Sequence, residues 1–198
     1  MQKRLILGSS SPYRKALLER LNLTFECFSP NIDESPLADE TPLALVERLA
    51  RLKADAIIEQ NPNLGNSLII TSDQVACLDN QVLGKPHTQA KAIEQLRLFS
   101  GNKVTFYTSL NVLDSTNNQA TLSTSQYSVY FKLLTQQEIE GYIKAEQPLD
   151  CAGSFKCEGL GVALFDKMEG DDPNALIGLP LINLCKALKQ HGVNPLTQ

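Results

Sequence analysis

Short apolar runs alternate with helix-patterned segments along this chain, and that alternation most constrains its fold. Residues 5–8 and 25–28 read as short strands, and residues 67–71 as a compact central strand ending in polar residues. Ser11-Pro12 places an N-cap before a proline at the first helical position, with Ala16, Leu17, Leu18 and Leu21 as the inner face. Thr41-Pro42 opens a longer helix running to about Gln60, with Leu45, Val46, Leu49, Leu52 and Ala56 at helical spacing. Thr88 starts another, which buries Ala92, Ile93, Leu96 and Phe99 and stops at Gly101. Residues 104–113 and 122–133 read as a long antiparallel pair joined by a turn at Asn117-Asn118. Thr135-Gln136-Gln137-Glu138 is a capping box leading into Ile139, Tyr142 and Ile143. A glycine-rich stretch, 153–161, then precedes a last strand and a helix around 179–189. Strands that alternate with helices and include a hairpin predict one α/β domain over residues 1–198. Its core would be a mixed central β-sheet flanked by helices.

Composition narrows the function. The 18 basic and 22 acidic residues leave a net charge of −4, without the basic footprint of a nucleic-acid binder. An anionic substrate would need a few lysines and arginines gathered locally. The five cysteines, Cys27, Cys77, Cys151, Cys157 and Cys185, form no C-x-x-C pair and are odd in number. They fit a reducing cytoplasm better than a zinc site or a disulfide framework. Two histidines, His87 and His191, argue against a histidine-rich metal centre. Leu5-Ile6-Leu7 is too short for a signal segment, and no run approaches the ~20 apolar residues of a membrane helix. The expectation is a soluble, cytoplasmic protein with no membrane or nucleic-acid polymer partner.

Several segments could carry chemistry. Gly8-Ser9-Ser10-Ser11-Pro12-Tyr13-Arg14-Lys15 ends a strand, turns through serines and opens a helix with basic residues in its first turn. Helix N-termini ordinarily favour acidic residues, so Arg14 and Lys15 sit comfortably there only if an anion neutralises them. Backbone N–H groups, the hydroxyls of Ser9 and Ser11 and a guanidinium could together hold phosphate oxygens. An ordinary capped surface helix would look the same. Asp73, in Thr71-Ser72-Asp73-Gln74-Val75, stands at the carboxyl end of the 67–71 strand, where open α/β sheets place a ligand crevice. It is either a general base for an attacking water or a turn aspartate. Lys53 and the Lys85 of Gly84-Lys85-Pro86 are either partners of that site or solvated side chains. Asp33-Glu34 is a magnesium-facing pair or a turn. Gly153-Ser154-Phe155-Lys156-Cys157-Glu158-Gly159 is a binding loop or a bend between strands.

Together these segments resemble the Maf family of nucleotide pyrophosphatases, from about Leu5 to Pro180. The resemblance rests on Ser9-x-Ser11-Pro12-x-Arg14, Asp33-Glu34, Lys53-Ala54, Ser72-Asp73, Gly84-Lys85-Pro86, the Gly153–Gly159 string and Gly178-Leu179-Pro180-Leu181. It implies a Maf- and ITPase-like sheet with a cleft between two lobes, and hydrolysis of a nucleoside triphosphate between its α and β phosphates. It also implies a divalent cation, Mg2+ or Mn2+, and a homodimer. Carried over by position, Asp73 is the proton acceptor, Arg14, Lys53 and Lys85 surround the phosphates, and Glu34 is a carboxylate near the metal.

The branch acting on thymidine and uridine triphosphates usually has Ser-Pro-Arg-Arg, Asp-Thr and Gln-Gly where this chain has Tyr13, Gln74 and Glu158. That trio, with Lys156 in the same string, is similar to the branch acting on 7-methylguanosine triphosphate. The chemistry is coherent: an N7-methylated guanine is cationic, so an aromatic ring can stack on it with a cation–π contribution of ~0.5–2 kcal/mol. Glu158 could accept its N1 and N2 hydrogens, and Gln74 could read a base or ribose edge. Two alternatives stand beside this expectation. One is a dTTP, UTP or other noncanonical nucleotide substrate; the other is a non-catalytic, septum-related nucleotide-binding regulator.

Overall fold

The structure is a computed structural model that describes residues 3–79 and 81–197. Seven strands form one mixed sheet: β1 (Arg4–Gly8), β2 (Phe25–Phe28), β3 (Ser67–Leu78), β4 (Gln81–Leu83), β5 (Lys103–Asp114), β6 (Ala120–Phe131) and β7 (Phe165–Gly170). Their order is β2-β1-β3-β5-β6-β7, with β4 paired to β3 off this path. β1 runs parallel to β2 and β3, whereas β3, β5, β6 and β7 are successively antiparallel. The helices are α1 (Pro12–Glu19), α2 (Pro42–Gln60), α3 (Gln89–Phe99), α4 (Gln136–Glu146), α5 (Pro173–Ile177) and α6 (Leu181–Gln190). The expected mixed α/β fold is present.

Local chemistry starts the helices where the sequence places their caps. Ser11, Thr41, Thr88 and Thr135 each accept a hydrogen bond from the backbone N–H three residues on, and Thr135 with Glu138 closes the capping box. Each cap contributes about 1 kcal/mol. α5, β4 and the 3-10 turns at Ala152–Ser154 and Leu160–Leu164 are additions to the expected elements. They are too short to carry a periodic signal.

The central strand corrects the reading of residues 67–71. β3 continues to Leu78, so Asp73 lies inside the strand and not at its end. Even-numbered positions put Leu68 and Ile70 against α1 and α6, and Ala76 into the cluster under α3 and α4. Odd-numbered positions face α2, with Ile69 packed near Ile57, and Val75 and Cys77 near Leu45, Val46 and Leu49. Between the apolar ends lies a belt of four polar residues, Thr71 to Gln74, all but Gln74 buried. The belt continues across the sheet, where Gln74 pairs with Thr108 and Asp73 with Ser109, and these pair with Ser125 and Thr124. Two lobes thus share the long strands, each with its own core.

The belt also marks a break in the sheet edge. β1 pairs with β3 only as far as Leu7 opposite Ile70, and β4 begins only at Ala76. Residues 71–75 of β3 therefore lack a strand neighbour on that side among the described residues. Gly8, at the end of β1, approaches so closely that a Cβ there would stand 2.7 Å from Thr71 Cγ2. The crevice of this sheet opens off the carboxyl end of β1, and Asp73 reaches it from the middle of the adjacent strand.

Candidate active site

Lys53 occupies the buried stripe of α2, in line with Val46, Ala50 and Ile57, where spacing alone would put an apolar side chain. Its side chain is only 7% exposed, and the ammonium is held by two carboxylates, Asp73 Oδ1 at 2.6 Å and Glu34 Oε1 at 2.7 Å. A buried lysine without such partners would be strongly destabilising. One turn earlier, the Ala50 carbonyl accepts a hydrogen bond from Thr71 Oγ1 at 2.6 Å, which fixes the helix against the polar belt.

The two carboxylates respond differently. Burial lifts the Asp73 carboxyl above its ordinary pKa, against the pull of Lys53 and Arg14. Burial also acts to raise Glu34, but the hydrogen bond and charge of Lys53, with Lys85 and Arg14, bring it below its usual value. The shift at Asp73 is in the direction that suits a proton acceptor.

Arg14 enters from the first turn of α1. Its Nε donates to the Gly178 carbonyl at 2.8 Å, and burial lowers its pKa against the charges of Asp73 and Glu34. Ser72 Oγ donates to the same carbonyl at 2.8 Å. Gly178, at φ 123°, adopts a conformation that favours glycine, and its carbonyl orients both groups. The segment before it is bracketed by Asp172, whose Oδ1 caps α5 at Asn174 N and whose Oδ2 accepts from Ile182 N of α6.

Gly8, Ser9, Ser11, Arg14, Glu34, Lys53, Asp73 and Lys85 line one open cleft of about 610 Å³. That volume lies in the range of small-molecule sites. A recess of about 90 Å³ continues from it and shares Ser11, Tyr13, Arg14, Gln74, Lys85 and Asp150 with the cleft. Its far wall is Cys151, Phe155, Cys157, Glu158, Leu176 and Ile177. Burial raises the Tyr13 phenol, and it pushes the Cys151 and Cys157 thiols up to about 11 and about 12, so all three are neutral near pH 7.

Most of the residues singled out from the sequence therefore meet: Ser9, Ser11, Tyr13, Arg14, Glu34, Lys53, Asp73, Gln74, Lys85 and Glu158 line these joined cavities. Two differ in detail. The Gln74 amide donates to the carbonyls of Ala175 and Leu176 and to Thr108 Oγ1, which leaves its Oε1 as the group free to face a ligand. Lys156 is not among the residues lining these cavities, and its Nζ donates to the Glu146 carbonyl at 2.9 Å. It fastens the glycine-rich segment, as do Phe155 among four phenylalanines and Tyr142 Oη, which accepts from Lys156 N at 2.9 Å. Both serine hydroxyls accept backbone N–H groups, Ser9 from Ser11 and Ser11 from Arg14, and keep their own protons to donate. The sequence reading missed Asp150 and Cys151, which adjoin the glycine-rich string but belong to no local pattern.

Comparison with known proteins bears on the family and the fold. The model of a family described as Maf-like protein matches residues 4–191. Two relatives named 7-methyl-GTP pyrophosphatase match over 196 residues, 99% of this chain. The one from Colwellia psychrerythraea is 53% identical with 96% of its length covered, and the one from Aliivibrio fischeri 50% with 100%. Among solved structures, the Staphylococcus aureus Ham1 protein has the same fold. It superposes with a TM-score of 0.53 at 14% identity, covering 96% of this chain and all of the other.

Proposed function

The chain belongs to the Maf family, and from that premise we propose that it hydrolyses 7-methylguanosine triphosphate to the monophosphate and pyrophosphate. One observation carries the reading: Arg14, Lys53 and Lys85 gather around Asp73 in a cleft whose other end holds Tyr13 and Glu158. The basic groups suit a triphosphate. The aromatic ring and the carboxylate suit a cationic purine.

The proposed chemistry follows from which atoms are already engaged. Lys53 occupies Asp73 Oδ1, so Asp73 Oδ2 is the oxygen free to take a proton from water. The water oxygen bonds to phosphorus, its proton passes to Asp73, and the α–β anhydride bond breaks to release pyrophosphate. Arg14 and Lys85 counter the charge that builds on the phosphate oxygens, and Lys53 holds the base in place.

A divalent cation, Mg2+ or Mn2+, fits the donors that remain. Glu34 Oε2 is the carboxylate oxygen left for it, since Lys53 holds Glu34 Oε1 and Asp73 Oδ1, and Asp73 Oδ2 is given to the attacking water. Among the described residues no group of three or more His, Cys, Asp or Glu side chains could hold an ion by itself. One carboxylate completed by substrate phosphates and water matches a common way of binding magnesium. When bound, the cation supplies further neutralisation of the triphosphate. Among the described residues no helix is long and apolar enough to cross a membrane.

The test is pyrophosphate release from 7-methyl-GTP, GTP, dTTP and UTP, with and without magnesium. The methylated nucleotide is expected to have the highest kcat/KM. A preference for dTTP or UTP would overturn the assignment of the base. Turnover by Asp73→Asn at the wild-type rate would overturn the assignment of the proton acceptor.

A further inference from the structure

Two carboxylates stand beside Tyr13, and only one of them, Glu158, belongs to the glycine-rich string. The other is Asp150, at the junction where the recess meets the larger cleft. A single thiol links it to the aromatic ring: Cys151 Sγ lies 3.7 Å from Tyr13 Oη and 3.7 Å from Asp150 Oδ1. The negative charges of Asp150 and Glu158 both add to the rise in the Tyr13 pKa, so both bear on the same phenol.

Neither carboxylate forms a salt bridge with a lysine or arginine among the described residues. The contrast with the other end of the cleft is chemical. Glu34 and Asp73 share Lys53 and lie near Arg14, whereas Asp150 and Glu158 each contact a neutral thiol, Cys151 and Cys157, and share their recess with Arg14 and Lys85 without an ion pair to either. Unpaired carboxylates next to a triphosphate site disfavour every anionic ligand. A ligand that brings a positive charge to that end recovers the loss, and one with a neutral base does not.

We infer that Asp150 is a second specificity carboxylate, which together with Glu158 brackets Tyr13 and selects a cationic heterocycle over its neutral counterpart. This rests on the nucleotide reading above and adds the group that discriminates by charge. Glu158 is suited to the hydrogen-bonding edge of the base; Asp150, nearer the cleft, acts through its field. Both are exposed, so solvent screens the effect, and a single exposed pair of charges is worth about a two- to fivefold change in binding.

The test compares kcat/KM for 7-methyl-GTP and GTP, which differ at the base by one methyl group and its charge, in the full chain and in Asp150→Asn. The ratio is expected to fall about two- to fivefold, through KM and not kcat, and the fall should shrink as salt is raised. Asp150→Glu should restore most of it. An unchanged ratio, or an equal loss on both nucleotides, would overturn the inference. So would a loss seen only between GTP and 2′-deoxy-GTP, which would assign Asp150 to the ribose. If the wild-type chain does not favour the methylated nucleotide at all, the nucleotide reading fails and the inference with it. That outcome is visible before any variant is made.

Discussion

Lys53 Nζ and Asp73 Oδ1 are 2.6 Å apart, one on the buried stripe of a helix and the other in the middle of the central strand. The lysine opposes the rise that burial causes in the Asp73 pKa, and the carboxylate permits a charged lysine in an apolar stripe. Stability and chemistry are therefore coupled at this pair.

The first consequence is a pH dependence with opposed slopes. Burial raises the Asp73 pKa in the folded state above the unfolded value of about 3.9. Its contribution to stability is then fully present below that unfolded value and is lost as pH rises through the folded one. A proton acceptor must be ionised, so kcat/KM rises over that same interval. Thermal melts and pH–rate profiles should show both trends. Asp73→Asn should remove this stability slope and lower kcat by about 10²–10⁴-fold.

Lys53→Met leaves Asp73 buried without its counter-charge. Near neutral pH the variant should lose about 3–5 kcal/mol of stability in denaturant titrations. Lys53→Met with Asp73→Asn should recover much of that loss, because the uncompensated charge is gone. Strict additivity of the two single changes would show that the pair is not coupled.

Tyr13→Ala should raise KM for 7-methyl-GTP about two- to thirtyfold, the equivalent of a cation–π contact of ~0.5–2 kcal/mol. Tyr13→Phe keeps the ring and should stay near wild type. Steady-state kinetics with GTP as the control separate stacking on a cation from general packing, since the effect on GTP should be the smaller.

Asp172 joins two helices through a single carboxylate, and both depend on it for a terminal N–H partner. Asp172→Ala should cost about 1–3 kcal/mol in urea unfolding. Because α5 leads directly to the Gly178 carbonyl that orients Arg14, KM for the nucleotide should rise as well. An intact KM would show that Arg14 is held independently of this bracket.

The sequence by itself determined α1 to α4 with their caps, the hairpin of β5 and β6 and the α/β class. These rest on interactions within a few residues: Ser11 with Arg14, Thr41 with Ala44, Thr135 with Glu138. Family resemblance supplied the set of basic and acidic residues at the site, because motif order along a chain survives without coordinates. Tertiary structure alone decided where that set stands. Thr71 to Gln74 read as the polar end of a strand, because a belt of buried polar residues looks the same in sequence as a strand that has stopped. Only the pairing of β3 with β5, and the early end of β1, reveals a strand that continues beneath a crevice. Lys53 sat in an apolar stripe whose period shows which face is buried but not which carboxylates it meets. Asp150 carried no local signal at all; its meaning comes from Tyr13, 137 positions away, brought beside it by folding.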